Sequence, residues 1–260
     1  MMDRCSAFSL SSDKSHHLRR VQIRQHMIGQ VKCGQKVLLQ QGVLRQIGQN
    51  ELFVLLKDSR WEMINRTLQT DYRSNIIHLS PQTIALFYQL YPQFKTLGPQ
   101  IRQRIYTPAL SDCFQRTWDG LRDPQLSPTL KRHRTLELLL QLAEHQFVFP
   151  PAEKLSWTDK MQALVEQDLS RHWTLSEIAD RFHMSESTLK RRLQQENTAF
   201  RQWLQALRLD TALSLILGTE DSLAEIASRC GYQSQSRFSA AFKQHFAILP
   251  SQIKTHGLAE

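Results

Sequence analysis

Apolar residues in the first part of the chain occur in short runs that are separated by glycines. The run at residues 52–56 is continuously apolar, and residues 21–24 alternate between apolar and polar side chains. Runs of this length that are bounded by turn residues are typical of β-strands. We therefore predict a small antiparallel barrel or sandwich over residues 19–80. The polar segment before it, residues 1–18, has no such period and is expected to be a flexible N-terminus.

After Pro81 the spacing of the apolar residues becomes helical. Side chains three and four positions apart share one helix face, as do Ile84, Phe87, Tyr88 and Tyr91. A second helix is predicted over residues 101–118, with an interruption near Pro108. A third, leucine-rich helix is predicted over residues 136–148, and so many leucines in one helix indicate burial on more than one side.

The last hundred residues follow a helical pattern almost throughout, and they contain an internal repeat. The segment TLSEIADR, which starts at Thr174, recurs 48 residues later as SLAEIASR from Ser222, with five of eight residues identical. Each copy has a glutamate three residues after its first hydroxyl residue, which is the spacing of a helix-capping box. The repeat therefore predicts two helices that begin in the same way.

Each copy is followed by a short turn and a second helix, which restarts after Ser185 in the first copy and after Ser234 in the second. The restarted helices carry apolar pairs four residues apart, namely Leu189 with Leu193 and Phe238 with Phe242. A short helix, a tight turn and a second helix with one apolar stripe form the helix-turn-helix pattern. The second helix of such a unit can enter the major groove of DNA.

Positive charge gathers on the first restarted helix. The whole chain has 33 Lys and Arg against 24 Asp and Glu, a net charge of +9, but residues 154–260 contribute only +1. Within residues 187–208, five basic residues stand against one acid, Glu196. Basic side chains donate to guanine edges and phosphates, so this patch favours a nucleic-acid interface. The alternative is an ordinary helical bundle with a solvated face, which does not explain two similar copies.

Residues 157–256 resemble the DNA-binding domain of the AraC/XylS transcription regulators, in which one long helix joins two helix-turn-helix units. The matching segments are EIADRFHMSESTLKRRLQQE, RQWLQALRLDTALSLIL, LAEIASRCGYQSQSRFSAAFKQHF and LPSQIK. The preceding residues resemble the cupin-like sensor and dimerisation region of many members in general pattern only. The leucine-rich helix and the segment LKRRLQQENTAFRQWL resemble the acid-response and virulence-regulator branch.

The expected fold is therefore of the α+β class. A strand-rich, cupin-like sensor region at residues 19–80 is followed by a helical dimerisation or connector region at residues 81–149. The prolines 150 and 151 predict a short, stiff linker at residues 150–156. An all-α domain at residues 157–256 then contains the two helix-turn-helix units and their joining helix.

The resemblance implies that the two restarted helices enter successive major grooves on one face of a duplex, about 34 Å apart. It assigns base reading to the N-terminal parts of these helices, at Ser187, Lys190, Arg191, Gln235, Ser236 and Arg237. It assigns phosphate contacts to hydroxyls at helix starts and to neighbouring cations, at Thr174, Ser185, Arg192, Ser222, Ser234 and Lys243.

Four residues depart from the family pattern, and one of them, Ile253, stands where an aromatic residue is usual and is expected to fill a core position. Many members have arginine at the position of Ala240, and an alanine there can touch at most a thymine methyl group. We therefore expect the second helix-turn-helix unit to read sequence weakly. Asn197 and Ala247 stand where glycine is usual. Asparagine tolerates the left-handed conformation, whereas alanine is strained in it.

The strand-rich region is a candidate ligand-binding barrel. Lys32, Lys36 or Arg45 at its mouth would bind a carboxylate, as in fatty-acid-responsive members of the family. The alternative is a barrel that is filled by its own side chains. No cofactor and no metal site are predicted, because the ten histidines and four cysteines show no ligand spacing.

The sequence thus predicts a cytoplasmic, sequence-specific transcription regulator, an activator rather than a repressor, and not an enzyme. Its expected partners are double-stranded promoter DNA, RNA polymerase, a second copy of the chain and a small-molecule effector. One alternative is an alkyl-transfer DNA-repair enzyme, which would need a reactive cysteine with metal or base partners; another is a helical protein-interaction module. The uncharged stretch at residues 74–94 is not predicted to span a membrane, since it contains two prolines and several polar side chains.

Overall fold

In this computed structural model the chain divides into two compact units. The structure describes residues 5–97 and 107–151 of the N-terminal unit and residues 156–254 of the C-terminal unit. Strands followed by helices make up the first unit, and the second is helical. This arrangement confirms the predicted α+β class.

The N-terminal unit opens with strands. Its described residues contain β1 (Ser6–Ser12), β2 (His16–Gln22), β3 (Met27–Cys33), β4 (Gln35–Gln40), β5 (Val43–Ile47), β6 (Leu52–Leu55), β7 (Arg60–Arg66) and β8 (Tyr72–His78). They form two four-stranded sheets, with the order β1-β8-β3-β6 in sheet A and β2-β7-β4-β5 in sheet B. The strand pairs in both sheets are antiparallel, as the sequence predicted.

The expectation of a flexible N-terminus is wrong for residues 6–18. β1 pairs with β8 along its whole length, from Ser6 to Ser12, and β2 begins at His16. Because β1 is an edge strand whose side chains are mostly half-buried, its residues need no regular alternation of apolar and polar types. Backbone hydrogen bonds to β8 hold β1 in the sheet. These bonds cannot be predicted from the order of apolar and polar side chains.

Helices follow the sheets. They are α1 (Pro81–Leu90), α2 (Pro108–Arg122) and α3 (Pro128–Glu144), with a 3-10 turn at Pro92–Thr96. Each of the three begins with a proline directly after a hydroxyl residue whose side chain accepts a hydrogen bond from the third helical N–H, these caps being Ser80, Thr107 and Ser127. Proline lacks an N–H but fits the first helical position, so these hydroxyl–proline pairs fix where the helices start.

The first predicted helix is confirmed, and the second is corrected. Ile84, Phe87 and Tyr88 are buried on one face of α1. Pro108, where an interruption was expected, is instead the first residue of α2. Residues 101–106, which the prediction included, lie outside the described residues.

The helices pack on one face of sheet A. The leucine-rich α3 contributes buried leucines on more than one side of its axis. They share a core with four sheet residues, Ile28, Leu52, Val54 and Ile77. Two side chains tie this layer to backbone carbonyls. Trp118 Nε1 donates to Phe8 O at 3.2 Å, and Tyr88 OH donates to Phe149 O at 2.5 Å.

The C-terminal unit has the predicted helices. Its described residues contain α4 (Trp157–Val165), α5 (Leu175–Arg181), α6 (Glu186–Gln195), α7 (Phe200–Gly218), α8 (Leu223–Arg229) and α9 (Gln235–Phe246), with a 3-10 turn at Pro250–Gln252. We call the pair α5–α6 HTH1 and the pair α8–α9 HTH2. The joining helix α7 has 19 residues and is about 28 Å long at 1.5 Å per residue.

Two residues adopt the left-handed backbone conformation that the sequence suggested. Asn197, between α6 and α7, has φ of 51°, and Ala247, directly after α9, has φ of 64°. The Ala247 N–H donates to Lys243 O at 2.9 Å and so closes the last turn of α9. In this conformation the Cβ of alanine lies too close to the backbone, which costs free energy. Glycine has no Cβ and avoids this cost.

The uncharged stretch of residues 74–94 is divided between β8, α1 and the following 3-10 turn. Across the ranges given above, no helix combines the length and the apolar character that crossing a membrane requires.

We predict that Ala247→Gly stabilises the C-terminal unit by about 0.5–1 kcal/mol, because the removed strain exceeds the added entropy of the unfolded chain. The measurement is the urea-unfolding free energy of the full chain. Ala240→Gly is the matched control, since Ala240 is exposed within α9 and glycine there should cost about 1 kcal/mol. Equal destabilisation by both changes would contradict strain at Ala247.

Candidate nucleic-acid interface

The first helices of HTH1 and HTH2 begin with related caps. Thr174 Oγ1 accepts a hydrogen bond from Glu177 N at 3.1 Å, and Ser222 Oγ accepts one from Glu225 N at 3.2 Å. In HTH2 the capping box is complete, because Ser222 N donates to the Glu225 carboxylate at 2.7 Å. In HTH1 the Glu177 carboxylate instead pairs with Arg171. The predicted boxes are therefore complete in one copy and replaced by an ion pair in the other.

The turns of the two units differ in what surrounds them. His183 in HTH1 and Gly231 in HTH2 occupy corresponding positions, and both have positive φ, 52° and 77°. His183 is exposed. A Cβ on Gly231, in contrast, would lie 2.6 Å from Nη2 of Arg208 in the joining helix. Only at the second turn would a side chain therefore have to displace a neighbouring guanidinium.

The second helix of HTH1, α6, buries one face and exposes the other. Leu189 is fully buried and Leu193 is 2% exposed. The opposite face carries polar and charged side chains that are all exposed: Glu186, Ser187, Lys190 and Arg191. The residues predicted to read bases in HTH1 thus point to solvent.

The second helix of HTH2, α9, has the same division. Its buried stripe consists of three phenylalanines with no measurable exposure, Phe238, Phe242 and Phe246. Its first residues Gln235, Ser236 and Arg237 are exposed, as are Ala240 and Lys243. The Arg237 guanidinium donates to the side chain of Gln233 at 3.1 Å. The predicted base readers of HTH2 are therefore accessible, and the alanine lies on the same exposed face.

The exposed ends of α6 and α9 open onto one concave surface, which we call the interhelix groove. It has a volume of about 1010 Å³ and runs beside the joining helix. Glu186 and Lys190 of α6 and Arg237 of α9 line it together with Arg201 and Arg208 of α7. Four cations thus face the groove against one carboxylate, and the first turns of both second helices contribute to its lining.

Glu196, the one acid among the basic residues of the segment 187–208, has a structural role as a helix cap that the sequence did not indicate. Its carboxylate accepts hydrogen bonds from Trp157 N at 2.6 Å, Thr158 N at 3.1 Å and Thr158 Oγ1 at 2.9 Å. It therefore caps the N-terminus of α4, where the helix dipole favours negative charge. A cap formed by a residue 39 positions away has no local sequence signal.

Arg192, which the family resemblance assigned to phosphate, packs within the protein. Its guanidinium carbon lies 4.1 Å from the centre of the Trp157 ring, and Nη1 lies 3.7 Å from the sulfur of Met184. Lys160 approaches the same ring at 4.2 Å. These contacts join α4 to α6 and give Arg192 a packing role that its charge alone did not indicate.

Of the three candidate ligand residues, Lys36 lies deepest. It projects between the sheets and is 3% exposed. Its Nζ donates to Asn65 Oδ1 at 2.8 Å and to Tyr72 OH at 3.3 Å, and lies 5.2 Å from the centre of the Phe53 ring. Its described contacts are all with neutral groups. Burial lowers the pKa of Lys36 to about 7.

Of the other two candidates, Lys32 lies apart from Lys36 and Arg45 lies beside it. Lys32 faces α2, where its Nζ donates to Gln115 Oε1 at 3.2 Å. Arg45 stands diagonally opposite Lys36 in the β4–β5 ladder, and its guanidinium carbon is 5.8 Å from the centre of the Trp61 ring. The structure therefore places Lys36 and Arg45 on sheet B and separates Lys32 from them.

Two of the four cysteines are fully buried, and burial also shifts the pKa of three histidines. Cys113 and Cys230 are fully buried, and burial raises the pKa of each thiol to about 11. Such thiols are protonated at neutral pH and poorly nucleophilic. Burial also lowers the pKa of His16, His26 and His78 to about 4. Over the part of the chain that the structure describes, His, Cys, Asp and Glu form no group of three that could hold a metal ion.

Part of the C-terminal unit matches a known protein family in sequence. The helix-turn-helix domain family matches residues 178–256. The segment begins within α5 and extends beyond α9, so it includes the second helix of HTH1, the joining helix and HTH2.

Three curated relatives are transcription regulators. The dual transcriptional regulator Rns and the HTH-type transcriptional activator CfaD, both of Escherichia coli, are 41% and 40% identical over 100 residues. These matches span 38% of this chain and 38% of each relative's length. The transcriptional regulator SirC of Salmonella typhimurium is 29% identical over 219 residues, which cover 76% of this chain and 74% of SirC.

Solved structures of ToxT from Vibrio cholerae are similar to this chain in fold. ToxT of strain O395 matches with a TM-score of 0.64 and 17% identity, over 96% of this chain and 97% of ToxT. An unsaturated fatty acid bound ToxT of strain SCE256 matches with a TM-score of 0.63 and 18% identity, over 98% of this chain and 97% of that chain. At this identity the likeness shows a shared fold.

Lys36 should make stability depend on pH. The unfolded chain keeps this proton up to about pH 10.5, whereas the folded chain releases it near pH 7. Since the unfolded state then binds more protons, the free energy of unfolding should rise between these values, by at most about 1.4 kcal/mol per pH unit. Urea unfolding between about pH 6 and about pH 9 measures this rise, and Lys36→Met should abolish the contribution.

Lys32→Met is the matched control, because it removes the same ammonium group from a half-buried position on β3, in the other sheet. Its stability should rise with pH as in the wild type. Parallel pH profiles for the wild type and Lys36→Met would show that the buried ammonium does not titrate as described.

Proposed function

We propose that this chain is a member of the AraC/XylS family of transcription regulators, and that its C-terminal unit binds promoter DNA and reads sequence in two successive major grooves. The observation that carries the proposal is that residues from the first turns of α6 and α9 line one groove. Each helix buries an apolar stripe, and the N-terminal ends of both line the interhelix groove. A duplex that passes along this side would meet both helices.

Base reading is proposed for exposed side chains in the first two turns of α6 and α9. In α6 these are Ser187, Lys190 and Arg191, and in α9 they are Gln235, Ser236 and Arg237. Arginine and lysine can donate to O6 and N7 of guanine, and glutamine can pair with adenine. Ala240 offers only a methyl group, so α9 is proposed to discriminate less than α6.

Phosphate contacts are proposed at the starts of the helices and along their exposed sides. The hydroxyls of Thr174, Ser185, Ser222 and Ser234 cap helices whose N-termini favour anions, and Lys243 is an exposed cation one turn after Ala240. Arg192 is not included, since its guanidinium is packed on Trp157. These contacts would position the unit without reading sequence.

The regulatory role is proposed from the relatives. CfaD is named as an activator, and we extend that role to this chain: bound at a promoter in the cytoplasm, it recruits RNA polymerase. The N-terminal unit would then dimerise with a second copy or respond to a signal. The protein-interaction alternative differs in one measurable property, because binding to duplex DNA weakens steeply with salt.

A carboxylate effector is a second proposal, and it concerns the N-terminal unit. The buried ammonium of Lys36 has only neutral partners among its described contacts, and a buried charge is stabilised by an opposite charge. A structure of ToxT, which has the same fold, is described as unsaturated fatty acid bound. We propose that a fatty acid enters between the sheets and places its carboxylate at Lys36, with Arg45 as a second candidate contact.

Arg191→Ala and Lys243→Ala should separate base reading from phosphate contact. On a duplex selected from a random library by the wild type, Arg191→Ala should weaken binding by about 1–3 kcal/mol and relax base preference. Lys243→Ala should weaken all duplexes alike and reduce the slope of log affinity against log salt by about one unit. Fluorescence anisotropy with selected and random duplexes gives both quantities. An equal loss on random DNA would remove Arg191 from the base-reading residues.

An unsaturated long-chain fatty acid should raise the unfolding temperature of the N-terminal unit. At a concentration about 100 times its dissociation constant, the stabilisation would be about 2.7 kcal/mol. The corresponding fatty alcohol tests the need for the carboxylate and should give a smaller shift. Lys36→Met should lose the shift and Lys32→Met should keep it; a full shift in Lys36→Met would exclude Lys36 as the anchor.

A further inference from the structure

Arg208 occupies the middle of the joining helix and bonds to the segment that leads into HTH1. Its Nη2 donates to Arg171 O at 2.8 Å, and its Nε and Nη2 donate to Leu169 O at 3.3 and 3.2 Å. That segment is itself fixed, because Trp173 Nε1 donates to Asp168 O at 2.8 Å. One guanidinium therefore satisfies two carbonyls directly before α5.

The same guanidinium also lies against HTH2. A Cβ built on Gly231 would be 2.6 Å from Nη2 and 2.7 Å from Cζ of Arg208. Gly231 is the turn residue between α8 and α9. The Arg208 charge also opposes the rise that burial causes in the pKa of Cys230 and of Tyr232, the residues on either side. Arg208 is thus in close contact with the second turn.

We propose that Arg208 is a positioning residue that fixes the separation and relative orientation of the recognition helices α6 and α9. It does so by joining the segment before α5 to the turn before α9 across the joining helix. The consequence for DNA, selectivity for one spacing between two half-sites, rests on the proposed function. The mechanical role does not, and it can be measured without DNA.

The chemistry of arginine suits this role. Its planar guanidinium carries several donors in a rigid fork, so it can hold two carbonyls at once and still present a flat face to the glycine. Lysine has one ammonium group on a flexible stem and cannot reproduce that geometry. The exposed histidine at position 183 shows that a turn without such a neighbour tolerates a side chain.

The direct test is the distance between the recognition helices. Spin-labelled unnatural amino acids at the exposed positions Gln195 and Gln244 report it by pulsed electron paramagnetic resonance, with the native cysteines left in place. The wild type should give a narrow distance distribution. Arg208→Met, which keeps most of the apolar stem, should broaden or shift it, and Arg208→Lys should fall between the two. Arg201→Met, the same change at an exposed position of α7, should leave the distribution unchanged.

The functional test uses the full chain and duplexes with two selected half-sites. An insertion of about five base pairs turns one half-site to the opposite face of the duplex. The wild type should lose at least about tenfold in affinity on this insertion, because both modules can no longer bind together. Arg208→Met should reduce that discrimination by at least about threefold, whereas Arg201→Met should weaken both duplexes alike.

The outcomes are separable. An unchanged distance distribution in folded Arg208→Met, verified by its thermal unfolding, would overturn the positioning role whatever happens with DNA. Unchanged discrimination between the two spacings in Arg208→Met would overturn the proposed role of Arg208 in selecting one spacing. Absence of any specific duplex binding by the wild type, together with a broadened distribution in Arg208→Met, would instead reject the proposed function and support Arg208.

Discussion

The burial of one apolar stripe on each recognition helix is the interaction on which the interface depends. Full burial of a leucine or phenylalanine side chain contributes about 1.5–3 kcal/mol, and α9 buries three phenylalanines while α6 buries two leucines. Rotation of either helix about its axis would expose these side chains at that cost. The buried apolar stripes therefore determine which way the exposed faces of α6 and α9 point. The polar residues on those faces need no contacts of their own to fix the helix orientation.

Contacts within the C-terminal unit also determine which of its charged side chains face the interface. Glu196 caps the N-terminus of α4, and the guanidinium of Arg192 packs on the Trp157 ring. Their formal charges therefore do not contribute fully to the charge of the exposed surface. What faces the interhelix groove is a small set of cations from three helices. The nearly neutral net charge of this unit is thus compatible with a locally positive interface, since placement and not total charge sets the local potential.

Much of this arrangement could be predicted from the sequence. The repeat at Thr174 and Ser222 and the apolar pairs in the restarted helices locate HTH1 and HTH2, because capping and helical periodicity are local effects. The left-handed conformations of Asn197 and Ala247 were expected from the family resemblance, because glycine is usual at both positions. The features that were missed depend on partners far away in the chain. The pairing of β1 with β8, the cap formed by Glu196 and the burial of Lys36 all require the tertiary fold before they exist.

The most direct measurement of the central claim is guanine methylation protection on a duplex selected by the wild-type chain. Methylation occurs at N7 in the major groove, the edge that the exposed side chains of α6 and α9 are proposed to contact. The account predicts two protected patches about one helical turn apart on one face of the duplex, with stronger protection at the patch bound by α6. A single patch, patches on opposite faces, or no protection at concentrations that retain the duplex would contradict it.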